Sequence, residues 1–432
     1  MTTKKNVLIF PAGAENALEI YDSLKYNVHI QVYGASGKSD YARYAYPANH
    51  YFEGDLYIND SDFNEKFNQV LQQFSIDYVI PAHDTIALYL KENEMNFIAQ
   101  IICSPYETAK IARSKKKIYE NLKEYSFIPW TTCCVNEISE YPVFMKPDIG
   151  EGAKGTKLLR NQEEAKQALT ENPDSLICEY LPGEELTVDC FTDSKRNLLF
   201  AGARTRERIT MGISFCSKNV STPMEVRDIA ETLNKKFVFR GAWFFQVKKD
   251  KNGKFKLMEF SVRQAGTMGL YRQLGVNFAL LSVFDWMGYE VSILQNSQNI
   301  QLERRLTNSY NLEYEYDTIY LDLDDTLIVE NRVNTVLMQL IYQWENDNKS
   351  VILLTKHDGQ PQVTLKNLKI DPNLFEEIIL LSGTESKAEY IKDKKSIFID
   401  NYFPERKRVQ EDCGIPVFDV DAIECLLHRD FI

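Results

Sequence analysis

The sequence lacks the usual marks of a metal or disulfide scaffold. Its eight cysteines, at positions 103, 133, 134, 178, 190, 216, 413 and 425, include no C-x-x-C pair, and its five histidines are scattered. Structural zinc and a disulfide framework are thereby excluded, and reduced thiols in a cytoplasmic protein are the expectation. The opening stretch MTTKKNVLIF reaches Pro11 before its apolar run is long enough for a secretory leader. Nowhere is there a run near the roughly 20 apolar residues of a membrane span. Positive charge is also short: the net charge is -12, which argues against a nucleic-acid backbone or an anionic membrane as the main partner. After the first apolar segment comes PAGAEN, without the G-x-G-x-x-G of a dinucleotide site. Internal repeats and low-complexity tracts are missing too.

What is present is a chain of 432 residues, 44% hydrophobic and 26% charged, enough for two to four domains. Short apolar strands alternate with amphipathic helices over the first hundred residues. Residues 6–10, 28–34 and 77–82 read as strands and residues 15–25 and 62–74 as helices. That alternation predicts a parallel sheet covered by helices. From 103 to 305 the strands lengthen, with glycines at 150–155 and a turn at 250–254. Residues 296–316 are polar and aperiodic, and a linker is placed at 306–316. A second strand–helix alternation fills 317–432.

The middle of the chain carries three segments suited to a nucleotide. In YPVFMKPDIGEGAKG an apolar strand ends in Lys146 and is followed by Gly150, Gly152 and Gly155. Glycines let backbone N–H groups close on phosphate oxygens, and the lysine adds a point charge; the alternative is a flexible hairpin with a surface lysine. In LICEYLPGEEL a strand runs into Glu179, then Pro-Gly, then Glu184 and Glu185. In FFQVKKDKNGKFKLMEFSVR a hairpin sets Gln246 on one strand and Glu259 on the next, two oxygen ligands suited to Mg²⁺, although each glutamate alone could be a solvated edge charge.

Together these segments resemble the ATP-grasp superfamily, in its carbamoyl-phosphate-synthase-like branch, over about 1–300. The resemblance implies a Rossmann-like pre-ATP-grasp domain at 1–102 and an ATP-grasp domain at 103–305. It implies that Lys146 contacts the α/β-phosphates, that Glu179 and the Leu181 backbone read adenine, and that Glu185 holds ribose. Gln246, Glu259 and Ser261 would bind Mg²⁺ or Mn²⁺, and Arg263 would face the γ-phosphate or acylphosphate. The segment ARSKKKIYENLKEYSFIPW resembles the family's Asp-Lys helix, and counting back from Ile128-Pro129 selects Lys116, beside Lys115 and Lys117. The sequence departs from the family pattern at three points: a Lys precedes Lys116 in place of Asp, Trp130 precedes no proline, and Ser261 stands where an Asn ligand is usual. On the substrate side, alternation along a strand puts Arg204, Arg206 and Arg208 on one face, a clamp for a carboxylate or phosphate or else a solvated face. Tyr271 and Arg272 are further candidates for the acceptor pocket.

Near the end, IYLDLDDTLI places Asp322, Asp324 and Asp325 after a run of β-formers. Alternation would set Asp322 and Asp324 on one face and Asp325 on the other. Further apolar strands end at Thr355 and at Asp400-Asn401, and Lys387 follows small capping residues in the first turn of a helix. These groups all lie at the carboxyl ends of expected parallel strands. The order resembles the haloacid-dehalogenase-like (HAD) phosphatases over 317–432, of capless type because only about 25 residues separate the first two motifs. The resemblance implies Asp322 as nucleophile, Asp324 as general acid/base, Thr355 and Lys387 on the phosphoryl group, and Mg²⁺ on Asp322, Asp324 and Asp400 with Asn401 or Glu405 assisting.

The expected fold class is therefore a multidomain α/β and α+β chain: a Rossmann-like domain, an ATP-grasp domain, and a capless HAD-like Rossmannoid domain. The expected function is a bifunctional one: an ADP-forming ligase joining a small carboxylate to an amine through an acylphosphate, with a phosphatase acting on a linked phosphomonoester. Its alternatives are a kinase without ligation and an ATP-binding scaffold with a degenerate site. No nucleic-acid or membrane partner is expected, and a homodimer is left open.

Overall fold

The computed structural model describes residues 4–150, 152, 154–210, 213–305, 307–310 and 312–428, with the side chains of 210 and 213 outside the description. Residues 306 and 311 of the expected linker, and 151 and 153 of the glycine loop, fall outside it. The chain divides into two compact units, Met1–Leu306 and Thr307–Ile432. Among the described residues no helix is long and apolar enough to cross a membrane.

In unit 1 the first five strands are β1 (Lys5–Phe10), β2 (Ile30–Ser36), β3 (Tyr51–Glu53), β4 (Tyr78–Pro81) and β5 (Gln100–Ile101). All pair in parallel, in the order β3-β2-β1-β4-β5. Continuous apolar runs suit a sheet covered on both faces, and Val7, Leu8, Ile9 and Phe10 are all buried. The helix Phe63–Gln73 covers one face with Phe63, Phe67, Val70 and Leu71, the 3–4 spacing of an amphipathic helix.

Two antiparallel sheets follow. Strands β6 (Thr131–Thr132), β7 (Val143–Pro147), β8 (Lys157–Leu159) and β9 (Ser175–Glu179) form one, in the order β6-β9-β7-β8. The other contains β10 (Glu185–Thr192), β11 (Leu198–Thr205), β12 (Arg208–Thr210), β13 (Ile213–Val220), β14 (Gly241–Lys249), β15 (Phe255–Ser261) and β16 (Gln301–Glu303). One apolar cluster runs from Leu8 of β1 through Ile118 to Trp243 and Phe260, so the expected boundary at 102/103 is not a break in packing. Strand β16 corrects part of the expected aperiodic stretch, because it pairs with β13 from Cys216↔Glu303 to Lys218↔Gln301. Its side chains are mostly exposed, which leaves no apolar period to read; the backbone alone makes the strand.

Unit 2 is a parallel sheet of β17 (Thr318–Leu321), β20 (Ser350–Thr355), β21 (Glu377–Leu380), β22 (Ser396–Ile399) and β23 (Val417–Phe418), ordered β21-β20-β17-β22-β23. A small hairpin, β18 (Ile328–Val329) with β19 (Arg332–Val333), precedes the helix Thr335–Asn346. Successive side chains feed opposite cores: Ile319, Leu321, Ile397 and Ile399 pack around Trp344, whereas Tyr320 and Phe398 pack with Leu354 and Val409. The helix expected around Lys387 is only a single 3₁₀ turn, Lys387–Tyr390.

Candidate active sites

In unit 1 both antiparallel sheets contribute to one cavity of about 270 Å³. Lys146 reaches it from β7, Glu179 from the end of β9, Glu185 from the start of β10, and Gln246 and Glu259 from the β14–β15 hairpin. Gln246 and Glu259 are directly cross-strand, the pairing expected from the hairpin. Gly150 and Gly152 line the same space; Gly155 closes their loop with a φ of +73°, a left-handed conformation that suits glycine. Phe144, Ile209, Leu181 and Met258 add apolar walls, and Cys178, its thiol pushed up by burial, adds an unreactive one.

Several charged side chains of the cavity already have partners. Lys146 is buried, donates to the Tyr119 hydroxyl and, at 3.3 Å, to the Met258 carbonyl. Glu179 accepts from the Trp130 backbone N–H at 2.9 Å. Glu185 pairs with Arg206 at 2.7 Å and lies 3.4 Å from Lys248. Glu259 meets Lys115 at 3.2 Å. Lys115, not Lys116, therefore lines the cavity, which corrects the register counted back from Pro129. The three adjacent lysines are chemically equivalent, and only the helix's orientation separates them.

Other expected residues lie elsewhere. The Ser261 hydroxyl donates to Asp84 at 2.5 Å, and Arg263 pairs with the same carboxylate at 2.8 Å. Burial works against the Asp84 charge, but Arg263 and Ser261 outweigh it and hold its pKa below the usual carboxylate value. Neither Ser261 nor Arg263 lines the Lys146 cavity. Asp84 opens the helix Asp84–Glu92 that follows β4, and nothing in the sequence analysis singled it out.

The arginine face does not assemble. Arg204 is buried in a two-bond pair with Asp189, at 2.7 and 3.1 Å. Arg206 joins the cavity at Glu185, and Arg208 pairs with exposed Glu303 at 2.6 Å. The strand stops at Thr205, so its alternation never extends to 208. Tyr271 is buried and donates to the Ala203 carbonyl at 2.5 Å, while Arg272 pairs with Glu19 at 2.6 Å. Both are held by interior partners away from the cavity.

Unit 2 gathers charge at the carboxyl ends of its strands. Lys387 donates to Asp322 at 2.5 Å and to Asp400 at 2.6 Å, and all three are buried. Burial raises the pKa of Asp322, with the neighbouring Asp400 charge adding to it against Lys387. Asp400 is raised by burial as well. For Lys387, burial pulls down, yet the two carboxylates outweigh it and the net shift is upward. Two carboxylates on one lysine leave a buried excess of negative charge; the buried hydroxyl of Thr355, at the end of β20, has no hydrogen-bond partner among the described residues. Thr326 donates toward Asp322 at 3.3 Å and accepts from the Asn401 N–H at 3.0 Å. Glu405 is taken up by Lys356 at 2.6 Å.

The acids do not lie on one strand face as expected. Strand β17 ends at Leu321, so Asp322 to Asp325 form a turn, and Asp325 has a φ of +54°. Asp324 instead meets a residue the sequence reading missed. His357 Nδ1 lies 3.0 and 2.9 Å from its two carboxylate oxygens. The only signal was position, two residues past the end of β20 at the edge where the other groups gather.

Both sites carry oxygen groups of the kind Mg²⁺ takes. No three His, Cys, Asp or Glu side chains gather as a complete metal cage among the described residues. Mg²⁺ asks for little from a protein when phosphates supply the rest, one or two carboxylates being typical. Gln246 with Glu259, and Asp322 with Asp400, meet that requirement.

Residues 171–306 match the model of a family described as ATP-grasp in the biosynthetic pathway with Ter operon. No curated protein matches the sequence. Solved structures resemble it at low identity. The biotin carboxylase domain of Hydrogenobacter thermophilus 2-oxoglutarate carboxylase, solved with MgADP and bicarbonate, superposes with a TM-score of 0.56 at 15% identity, over 68% of this chain and 72% of that one. Unit 1 has the ATP-grasp fold. Staphylococcus aureus N5-carboxyaminoimidazole synthetase with ADP gives 0.56 at 17% identity, over 68% and 80%. Bacillus licheniformis L-amino acid ligase gives 0.52 at 15%, over 66% and 74%.

Proposed function

We propose that unit 1 is an ATP-dependent carboxylate–amine ligase and that unit 2 is a HAD-like phosphatase acting on a linked phosphomonoester. The observation that carries the ligase reading is the convergence of Lys146, Glu179, Glu185, Gln246 and Glu259 on one cavity inside an ATP-grasp fold. Similar folds bind ADP or ligate amino acids by their own descriptions, which supports the same class here.

In this reading the base and ribose enter along Leu181, Met258, Glu179 and Glu185, and the phosphates lie against Lys146, Lys115 and the glycine loop. Bound Mg²⁺, held by Gln246 and Glu259, would neutralise charge on the phosphates. Lys115 now pairs with Glu259 and would turn to the nucleotide when the carboxylate takes a cation. The acid's carboxylate accepts the γ-phosphoryl group, ADP departs, and the amine displaces phosphate to leave an amide. Ser261 and Arg263 act through Asp84, anchoring the end of the metal hairpin to the first sheet.

In unit 2, Asp322 would attack phosphorus and Lys387 and Thr355 would hold the equatorial oxygens. Asp400 would hold Mg²⁺ with Asp322. The buried Asp322–Lys387–Asp400 cluster, with a threonine hydroxyl at the end of β20 that has no partner among the described residues, supports this assignment.

Two assays test the proposal. ADP should form only when a carboxylic acid and an amine are supplied together, across panels of both. Phosphate should be released from phosphomonoesters but not from ATP alone. ADP formed with an acid but no amine would replace ligation by kinase activity, and binding of ATP without turnover in any mixture would leave a scaffold.

A further inference from the structure

Lys146 is buried at the wall of the unit 1 cavity, and among the described residues no carboxylate pairs with it. Its ammonium donates instead to two neutral oxygens, the Tyr119 hydroxyl and, at 3.3 Å, the Met258 carbonyl. Lys115, on the same cavity, is in the opposite state, with Glu259 at 3.2 Å. An ammonium only donates and a carbonyl only accepts, so the directions are fixed. Tyr119 accepts from Lys146 and donates to Met258 at 2.7 Å.

Tyr119 lies on the helix Lys115–Asn121, four positions after Lys115, so the two side chains share one face. The start of that helix is pinned to the segment that follows Lys146. Ser114 donates to the Asp148 carboxylate at 2.8 Å, and the same carboxylate accepts from the Lys116 N–H at 2.7 Å. Met258 belongs to β15, one residue before Glu259, whereas Lys146 belongs to β7 of the other antiparallel sheet. One buried phenol therefore ties the helix to both sheets that wall the cavity. Burying an ammonium is costly unless its N–H groups are satisfied; neutral oxygens satisfy them and leave its positive field in place.

We infer that Tyr119 is a positioning residue for the nucleotide site: it holds the Lys146 ammonium at the cavity wall and leaves that charge uncancelled for the phosphates. The inference rests on the ligase reading above, in which Lys146 meets the nucleotide's phosphates. A carboxylate in the place of the hydroxyl would hold the lysine equally well, but it would cancel the charge and repel the nucleotide. A lysine with no such partner would keep its charge but not its place, and ordering its long stem would cost entropy at each binding event. A buried hydroxyl that accepts from the ammonium and is itself fixed by a backbone carbonyl avoids both losses.

The test titrates the full-length protein with ADP by calorimetry, once with EDTA and once with Mg²⁺, and closes a double-mutant cycle. Tyr119→Phe keeps the ring and removes the acceptor. It should weaken ADP binding by about tenfold, near what a hydrogen bond to a charged group contributes. In the Lys146→Met background the same change should cost less than about twofold, because no ammonium is left to hold. Equal losses in both backgrounds would make Tyr119 a merely structural residue, and no loss beside Lys146 would remove it from the site; either result overturns the inference. Replacing Tyr119 by 4-aminophenylalanine, which still donates to Met258 but accepts poorly, should match Tyr119→Phe and serves if the latter does not fold. Nitrogen-15 spectra of lysine-labelled protein, with Lys146 assigned by difference from Lys146→Met, give a readout without nucleotide. Wild type should show a Lys146 ammonium signal sheltered from exchange with water, and both Tyr119 variants should lose it. A signal missing in wild type, or unchanged in the variants, overturns the positioning role. If wild type binds ADP in neither condition, the ligase reading falls, and the spectra still decide whether Tyr119 holds Lys146.

Discussion

Arg204 shows how little a charged side chain's identity says about its use. The sequence offers three arginines at alternate positions as an anion clamp, yet Arg204 is buried against Asp189 with two hydrogen bonds. Removing one member of such a pair strands the other charge in the interior. Asp189→Ala should therefore cost about 3–5 kcal/mol in urea unfolding, while the paired change of Asp189→Leu with Arg204→Met should recover most of it. The lysines at 115 and 116 make the complementary case. Lys115 faces Glu259 in the cavity, so Lys115→Ala should weaken ADP binding by about tenfold, the equivalent of roughly 1.4 kcal/mol, in titration calorimetry. Lys116→Ala should leave it within about twofold. A larger effect at Lys116 would restore the register counted from Pro129.

The β14–β15 hairpin is where element geometry and chemistry meet. Its register sets Gln246 opposite Glu259, and a shift of one residue would send both side chains to the other face. Its far end is tied to the first sheet's side by Ser261 and Arg263 through Asp84. Ser261→Ala removes a hydrogen bond to a charged acceptor and should cost about 1.5–3 kcal/mol of stability. Asp84 also gives a pH signature. Its folded pKa is depressed, so its contribution is complete above the unfolded value of about 4 and is lost as the pH falls through the folded one. The unfolding free-energy gap between wild type and Asp84→Asn should thus stay constant from neutral pH down to the carboxylate range and shrink only below it. A gap that narrows between pH 7 and 5 would contradict the depressed value.

Across the whole molecule, the two candidate sites lie in separate compact units and share no residue. Their activities should then be separable in the intact chain. Asp322→Asn should abolish phosphate release from a phosphomonoester and leave acid- and amine-dependent ADP formation unchanged; Lys146→Ala should do the reverse. Loss of both activities in either variant would show that the units depend on one another in turnover.

The alternation of apolar runs and amphipathic stretches was enough to set both parallel sheets, because strand burial on two faces and helix burial on one leave periods in the chain itself. Lys146 and Glu179 stand at or near strand ends, and Gln246 and Glu259 are cross-strand partners in a hairpin; these local placements were legible in the sequence, and all four side chains line one cavity. The edge strand β16 was not legible, since backbone pairing makes it without an apolar pattern. Nor were the pairings of Arg204, Arg272, Ser261 and Lys115, whose partners lie 15, 253, 177 and 144 positions away. His357 is hidden for the same reason, facing an acid 33 positions earlier. Local sequence decides which groups stand at the edge of a sheet. Which of them meet, and which are left free for a substrate, depends on charges and hydrogen bonds closed across the fold, and only the tertiary structure sets those.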